Sequence, residues 1–320
     1  TTSVPIFDGV QELRFGANTK ILADAGATVS LSTGAKLLFG GEIHAPGGTI
    51  EILGAATARY RNSTQFYQPN ASVWLLPGSV LDASGTILLD DLAPRALGSN
   101  EPLRLGRVLA GGTVTVSNAR GYVLGMEGSR IDVSGVSDEL DLLRSSSDIL
   151  SGSTSPSRLS LTPVNPYTRQ AVWSDGGTIN LGASEAFYFD GTLKAKGGAP
   201  EARGGTLNYT FIRNPRSTAA SALITATLTA VPFATVPGSV SVGADLPFAT
   251  YGGRALIRTD IIERSGADSL TVTNTASGNT LNIEDGVSLT MPESIRLSTS
   301  FFNVVSARVA PGQTPSTQAP

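Results

Sequence analysis

A single histidine, His44, limits what acid–base chemistry this chain can perform. Ser-His-Asp catalysis would have to run through it, and no Gly-x-Ser-x-Gly elbow supplies a nucleophile. A metal site needs several convergent ligands, and the chain has no cysteine and no second histidine to contribute. His44 lies between Ile43 and Ala45 in a strand-like run, where alternation points it outward. Paired carboxylates are the stronger enzymatic option, because β-helical enzymes that act on polysaccharides use acidic residues on a strand face. The candidates are Asp90 with Asp91, and Asp138, Glu139 and Asp141. Adjacent residues in a strand point opposite ways, which separates the first pair. Asp82 and Asp132 occupy equivalent places in a repeated phrase beside a glycine, where a structural turn contact suits them better than catalysis. No calcium-loop pattern is present. The reading is of a non-enzymatic protein with no catalytic, cofactor-binding or metal residues.

The elements that would position these groups are short strands. Gly47-Gly48-Thr49-Ile50-Glu51-Ile52 recurs as Gly111-Gly112-Thr113-Val114-Thr115-Val116, then from Gly176-Gly177 and again from Gly204-Gly205. The intervals are 64, 65 and 28 residues. A second phrase, Gly78 to Gly85, returns 50 residues later as Gly128 to Gly135. Self-similarity of this kind marks a stacked repeat architecture. Each copy reads as a glycine corner followed by a strand, with Ile50, Ile52, Val114, Val116, Ile179 and Leu181 in shared inward columns. The fold class expected is all-β: a right-handed parallel β-helix, or β-solenoid, with loop insertions. Gly48, Gly112, Gly177 and Gly205 are its structural coil corners, with Asp82 and Asp132 beside the second phrase. Glycine is required there by a positive φ or by close approach of the neighbouring coil. With coils of about 20–25 residues, intervals of 64 and 65 make three coils each and 28 makes one. The chain would then hold roughly 11–13 coils in a rod about 50–60 Å long.

Residues 1–310 read as one rod segment and 311–320 as a linker-like tail. Two excursions interrupt the rod, at about 136–175 and 212–237. The first opens on Ser137 to Arg144, a sequence compatible with a helical turn or two, and continues rich in serine and proline.

Composition narrows the partners. Charged residues are only 15%, the net charge is −3 and there is no long basic run. Nucleic acid and anionic membranes are therefore poor partners. The uncharged stretch 217–244 alternates like a strand and contains Pro232 and Pro237, so it reads as no membrane insertion. Without cysteine, stability must come from packing rather than disulfides.

The run Ser174 to Gly198, closing on Gly204-Gly205-Thr206-Leu207, together with Gly78 to Gly85 and Gly128 to Gly135, resembles large exoproteins of the filamentous haemagglutinin type. The resemblance covers about residues 40–210 and implies a long β-helical rod secreted to the bacterial cell surface. It implies an outer-membrane two-partner transporter for the parent protein, and a role in adhesion, aggregation or biofilm contacts. The family's secretion domain carries Asn-Pro-Asn motifs, which this sequence lacks, so an internal rod segment is expected. Glycans and other copies of the rod are the expected contacts. The alternative is a β-helical polysaccharide-degrading enzyme, a lyase or glycosidase of the phage-depolymerase kind.

Overall fold

A computed structural model describes residues 12–34, 36–54, 72–96, 100–119, 121–144, 166–211, 224–230, 234–236, 238, 240–274 and 278–305. The first turn of chain sets the pattern. β1 (Glu12–Phe15), β2 (Lys20–Leu22) and β3 (Thr28–Thr33) each found a different sheet, called A, B and C. The next turn lays β4 (Lys36–Phe39) on β1, β5 (Glu42–His44) on β2 and β6 (Thr49–Gly54) on β3, all parallel. The third adds β7 (Ser72–Leu75), β8 (Val80–Asp82) and β11 (Thr113–Asn118), and the fourth β12 (Tyr122–Gly125), β13 (Arg130–Asp132) and β16 (Thr178–Ala183). The fifth adds β17 (Ala186–Phe189), β18 (Thr192–Lys194) and β19 (Thr206–Phe211). The fold is a right-handed parallel β-helix with three faces.

The coil count differs from the sequence expectation. Thr113 pairs directly with Thr49, and Thr178 directly with Thr113, so each interval of 64 or 65 residues is one coil and not three. The surplus residues leave the rod. An antiparallel hairpin of β9 (Thr86–Leu89) and β10 (Gly106–Leu109) fills part of the third coil. A second hairpin, β14 (Ser137–Leu143) with β15 (Tyr167–Trp173), fills part of the fourth. Among the described residues sheet C holds seven strands and sheet A nine. At strand spacing the longer stack is about 40 Å, short of the expected rod.

The upper coils depart from simple order. β20 (Thr225–Thr229) is a strand of sheet A, so the excursion expected over 212–237 is corrected there; its first part, 212–223, lies outside the described residues. The chain then runs down the outside of sheet A and returns through α1 (Phe248–Tyr251) to β21 (Arg254–Arg258). β21 inserts between β17 and β20, so sheet A reads β17-β21-β20. A short helix, α2 (Thr259–Arg264), takes the place of a further sheet B strand and continues the corner ladder, with Ala195 N–H bonded to Ser265 O at 2.8 Å. β22 (Ser269–Asn274), β23 (Thr280–Glu284), β24 (Ser294–Thr299) and β25 (Phe301–Val305) complete sheets A and C. The tail 311–320 lies outside the described residues.

The inside is a continuous apolar column. Ile50, Val114, Ile179, Leu207 and Leu270 stack in register on sheet C, with Ile52, Val116, Leu181, Tyr209 and Val272 beside them. Each is at most 3% exposed, and burying such a side chain contributes about 1.5–3 kcal/mol. From β4 through β17, sheet A is buried on both faces. Leu38, Trp74, Tyr122, Leu124, Tyr188 and Leu256 point away from the rod axis, yet they are covered by Val236, Val240, Leu246 and Tyr251 of the descending strap, 234–253. Double burial explains the continuous apolar runs of these strands, such as Leu37-Leu38-Phe39 and Phe187-Tyr188-Phe189.

Candidate functional site

The three faces of the rod differ in chemistry, and of the polar groups singled out in the sequence His44, Asp82 and Asp132 gather on sheet B. Register places His44 beside Asp82 and Asp82 beside Asp132 on successive strands. Lys20 pairs with Glu42 at 3.1 Å, Glu42 with His44 Nε2 at 3.1 Å, and His44 Nδ1 with Asp82 at 3.4 Å. His44, hydrogen-bonded to the Glu42 carboxyl, and then Lys20 hold that carboxyl below its usual range. Asp132 meets Arg130 at 3.7 Å and Lys194 at 4.0 Å. The other oxygen of each aspartate faces inward to the corner: Asp82 Oδ1 accepts the N–H of Ser84 at 3.0 Å, and Asp132 Oδ1 that of Ser134 at 3.1 Å. Two carboxylates thus stand one rung apart, each tied to its own turn, Asp82 beside the His44 ring and Asp132 between Arg130 and Lys194. His44 is half-buried within this ladder rather than freely exposed.

The glycine column starts each strand of sheet C. A β-carbon on Gly48 would lie 2.1 Å from Ala27 O, on Gly112 1.9 Å from Gly48 O, on Gly177 1.9 Å from Gly112 O and on Gly205 2.1 Å from Gly177 O. Close approach, not backbone conformation, excludes side chains at these four places; of the phrase's glycines only Gly47 has a positive φ, 61°.

The two hairpins leave the rod at the same corner, between sheets B and C, on successive coils. Arg104 joins them. Its backbone N–H donates to Asp141 Oδ2 at 2.7 Å, its carbonyl accepts from Asp141 N–H at 2.9 Å, its Nε donates to Glu139 O at 2.8 Å, and its guanidinium pairs with Asp138. Arg169 makes two bonds to Asp141, at 3.1 and 3.0 Å. The Glu139 N–H and then Arg104 hold the Asp138 carboxyl low, and Arg169 and then Arg104 do the same for Asp141. The acidic group considered for catalysis is therefore the clasp of this lobe. The helical turn expected at Ser137 to Arg144 is instead β14, paired residue for residue with β15 from Ser137–Trp173 to Leu143–Tyr167. Residues 145–165 of the excursion lie outside the described residues. Asp90 and Asp91 sit past the end of β9, where Asp90 Oδ1 accepts the N–H of Leu92 at 2.9 Å.

The lobe carries apolar side chains outward. Leu92 is 91% exposed and Leu143 67%, with Leu89, Leu142 and Trp173 also exposed. Among the described residues most other aromatic rings, Trp74, Tyr188 and Tyr209 among them, are buried. Burial pushes the Tyr188 and Tyr209 hydroxyls well above the ordinary phenol range.

A cavity of about 580 Å³ opens where α2 replaces a sheet B strand, lined by Glu127, Thr192, Asp190, Arg258 and Arg264 among others. Asp190, Arg258 and Arg264 are engaged in holding the strap and helix. Asp190 accepts the N–H groups of Thr235 and Val236 at 2.7 and 2.8 Å and meets Arg258 at 3.4 Å. Arg258 grips Asp260 through two bonds, at 2.9 and 2.7 Å. Among the described residues no group of three or more His, Cys, Asp or Glu is placed to hold a metal, and no helix is long and apolar enough to cross a membrane. No family model, curated protein or solved structure matches the chain.

Sequence reasoning found the residues of sheet B and the glycine column but missed the strap. The signal for it was present in the sheet A strands, whose unbroken apolar runs demand a cover on both sides.

Proposed function

We propose that the chain is a non-enzymatic structural and adhesive segment of a secreted bacterial surface exoprotein, related to the filamentous haemagglutinin type it resembles. A parent protein of that kind leaves the cell through an outer-membrane two-partner transporter, and its rods mediate adhesion, aggregation or biofilm contacts. The observation that carries the adhesive reading is the exposed apolar surface of the twin-hairpin lobe, centred on Leu92 and Leu143. Side chains this exposed add nothing to the core, and clustered exposed apolar groups mark interaction sites. The rod holds the lobe rigidly at one corner, so that contact falls at a fixed place along its length. The test compares surface adherence and self-aggregation of the full chain with those of Leu92→Ser/Leu143→Ser. Reduced adherence with an unchanged melting temperature supports the reading; unchanged adherence refutes it.

The adjacent carboxylates of Asp82 and Asp132 favour a second reading, a polysaccharide-degrading enzyme. Its test is release of reducing ends or unsaturated sugars from polysaccharides by the full chain and by Asp132→Asn. Cleavage that disappears in the variant supports this reading, and no cleavage refutes it.

A further inference from the structure

The outer face of sheet C has a character of its own. Thr28, Thr49, Thr113, Thr178 and Thr206 are register partners in one unbroken column, which Ser269 and Ser294 extend. Their neighbours two residues along each strand alternate outward with the buried column, as in Thr113–Asn118 and Thr206–Phe211. Ser117, Thr210, Thr273 and Ser298 supply further hydroxyls on the same face. Only Glu51 and Arg296 are charged among the outward positions of these strands. The middle column bonds to itself: Asn180 donates to Thr115 at 3.2 Å and Asn208 to Asn180 at 2.9 Å. The threonine hydroxyls from Thr49 to Thr206 keep no such partner among the described residues. At the upper end Ser294 donates to Ser269 at 3.0 Å and Ser269 to Glu293 at 3.2 Å, so the unengaged hydroxyls are those of the threonine column, Thr49, Thr113, Thr178 and Thr206, regularly spaced on a face that no strap covers.

We infer that this face binds a neutral, extended polysaccharide laid along the rod axis. The inference rests on the adhesive reading above and gives it a second contact of defined chemistry. Two features carry it. The rungs repeat at about 4.8 Å, close to the length of one sugar unit in an extended β-linked chain, so successive sugars meet successive hydroxyls. The near absence of charge matches an uncharged polymer and gives an anionic one nothing to pair with. None of the outward positions on these strands is aromatic, so each sugar is held weakly and the repeat supplies avidity.

The test is native electrophoresis of the full chain through gels containing hydroxyethyl cellulose, a neutral β-glucan, or alginate, an anionic polymer. The expected result is retardation by the neutral glucan and none by alginate. Thr113→Arg/Thr206→Arg raises two long charged side chains from the face and should abolish retardation. Thr192→Arg, on sheet B, should leave it intact. If Thr113→Arg/Thr206→Arg loses its β-rich circular dichroism, Ser117→Arg/Thr273→Arg takes its place with the same expectation. Unchanged mobility of the native chain in the glucan gel overturns the inference, as does retardation of a folded face variant equal to that of the native chain. Lobe-dependent adherence without glucan retardation defeats this inference alone. Loss of both defeats the adhesive reading itself.

Discussion

A β-carbon on Gly112 would lie 1.9 Å from the carbonyl oxygen of Gly48, one coil away. That oxygen accepts the N–H of Thr113 at 2.8 Å, so the clash falls on the hydrogen bond that starts the next rung. Gly112→Ala must either break this bond or part the coils, and neither neighbour is a flexible side chain. Overpacking of this kind costs about 3 kcal/mol or more. Gly78 provides the contrast: its φ is 82° and nothing lies within 4 Å of its β-carbon position. Gly78→Ala should cost only about 1–2 kcal/mol, from the left-handed backbone alone. Denaturant unfolding of the two variants measures the difference, and equal losses would contradict the stacking role of Gly112.

The strap hangs from Asp190, which is 4% exposed at its side chain and accepts two backbone N–H groups besides meeting Arg258. Asp190→Ala leaves those donors and the guanidinium without their acceptor. A loss of about 3 kcal/mol is expected, in the range for breaking a buried charge pair. Trp74, fully buried beneath the strap, reports the local consequence. In a Trp173→Phe background its emission should shift to the red when Asp190 is replaced. Emission that stays blue would mean that the strap is held elsewhere.

Acid should loosen the lobe before the rod. The carboxyls of Asp138 and Asp141 are held below their ordinary values by hydrogen bonds and by Arg104 and Arg169. Their folded values lie below the unfolded ones, so their contribution is complete above about pH 4 and is lost as pH falls through the lowered values. Hydrogen exchange at the Asp141 and Arg104 amides should therefore accelerate at the acid end while the sheet C amides stay protected. Asp141→Asn should remove the acid dependence contributed at that position, and a variant with an unchanged acid limb would refute the assignment.

Asp82 and Asp132 carry like charges on adjacent rungs. Asp132→Asn keeps an oxygen for the Ser134 N–H and removes the repulsion, but gives up pairs with Arg130 and Lys194 at 3.7 and 4.0 Å. These effects oppose each other, and stability should change by less than about 1 kcal/mol. Thermal unfolding checks this, and a large loss would show that the ladder holds the coils together.

Legibility in the sequence followed burial geometry. Sheet C strands such as Thr113–Asn118 are covered on one face only, so they alternate and announce themselves. The sheet A strands β4, β7, β12 and β17 are covered twice and show no alternation, which hid the strap until Leu246 and Val236 were seen against Trp74 and Tyr188. Counting coils failed because residues between Gly48 and Gly112 were assigned to further rungs, when part of them forms the β9–β10 hairpin. The residues Asp138 to Leu143 are locally compatible with a helix, but tertiary pairing with β15 makes them a strand. Of the candidate groups, Asp82 and Asp132 were readable because a repeat places equivalent residues in register. Arg104 was not, since it acts across 37 residues on Asp141 through an insertion that breaks the repeat.

The order β17-β21-β20 constrains how the rod can be assembled. On a chain that emerges amino-terminus first, each coil up to β19 finds its platform already in place. β20 does not: the strand it rests on lies beyond the strap and is made later. Growth by one rung at a time would stop after β19 and resume only once the strap had run down sheet A and β21 had closed the gap. Assembly in strict chain order would therefore meet a checkpoint at β20, because β21 has to enter above β17 before the upper strands of sheet A have a platform.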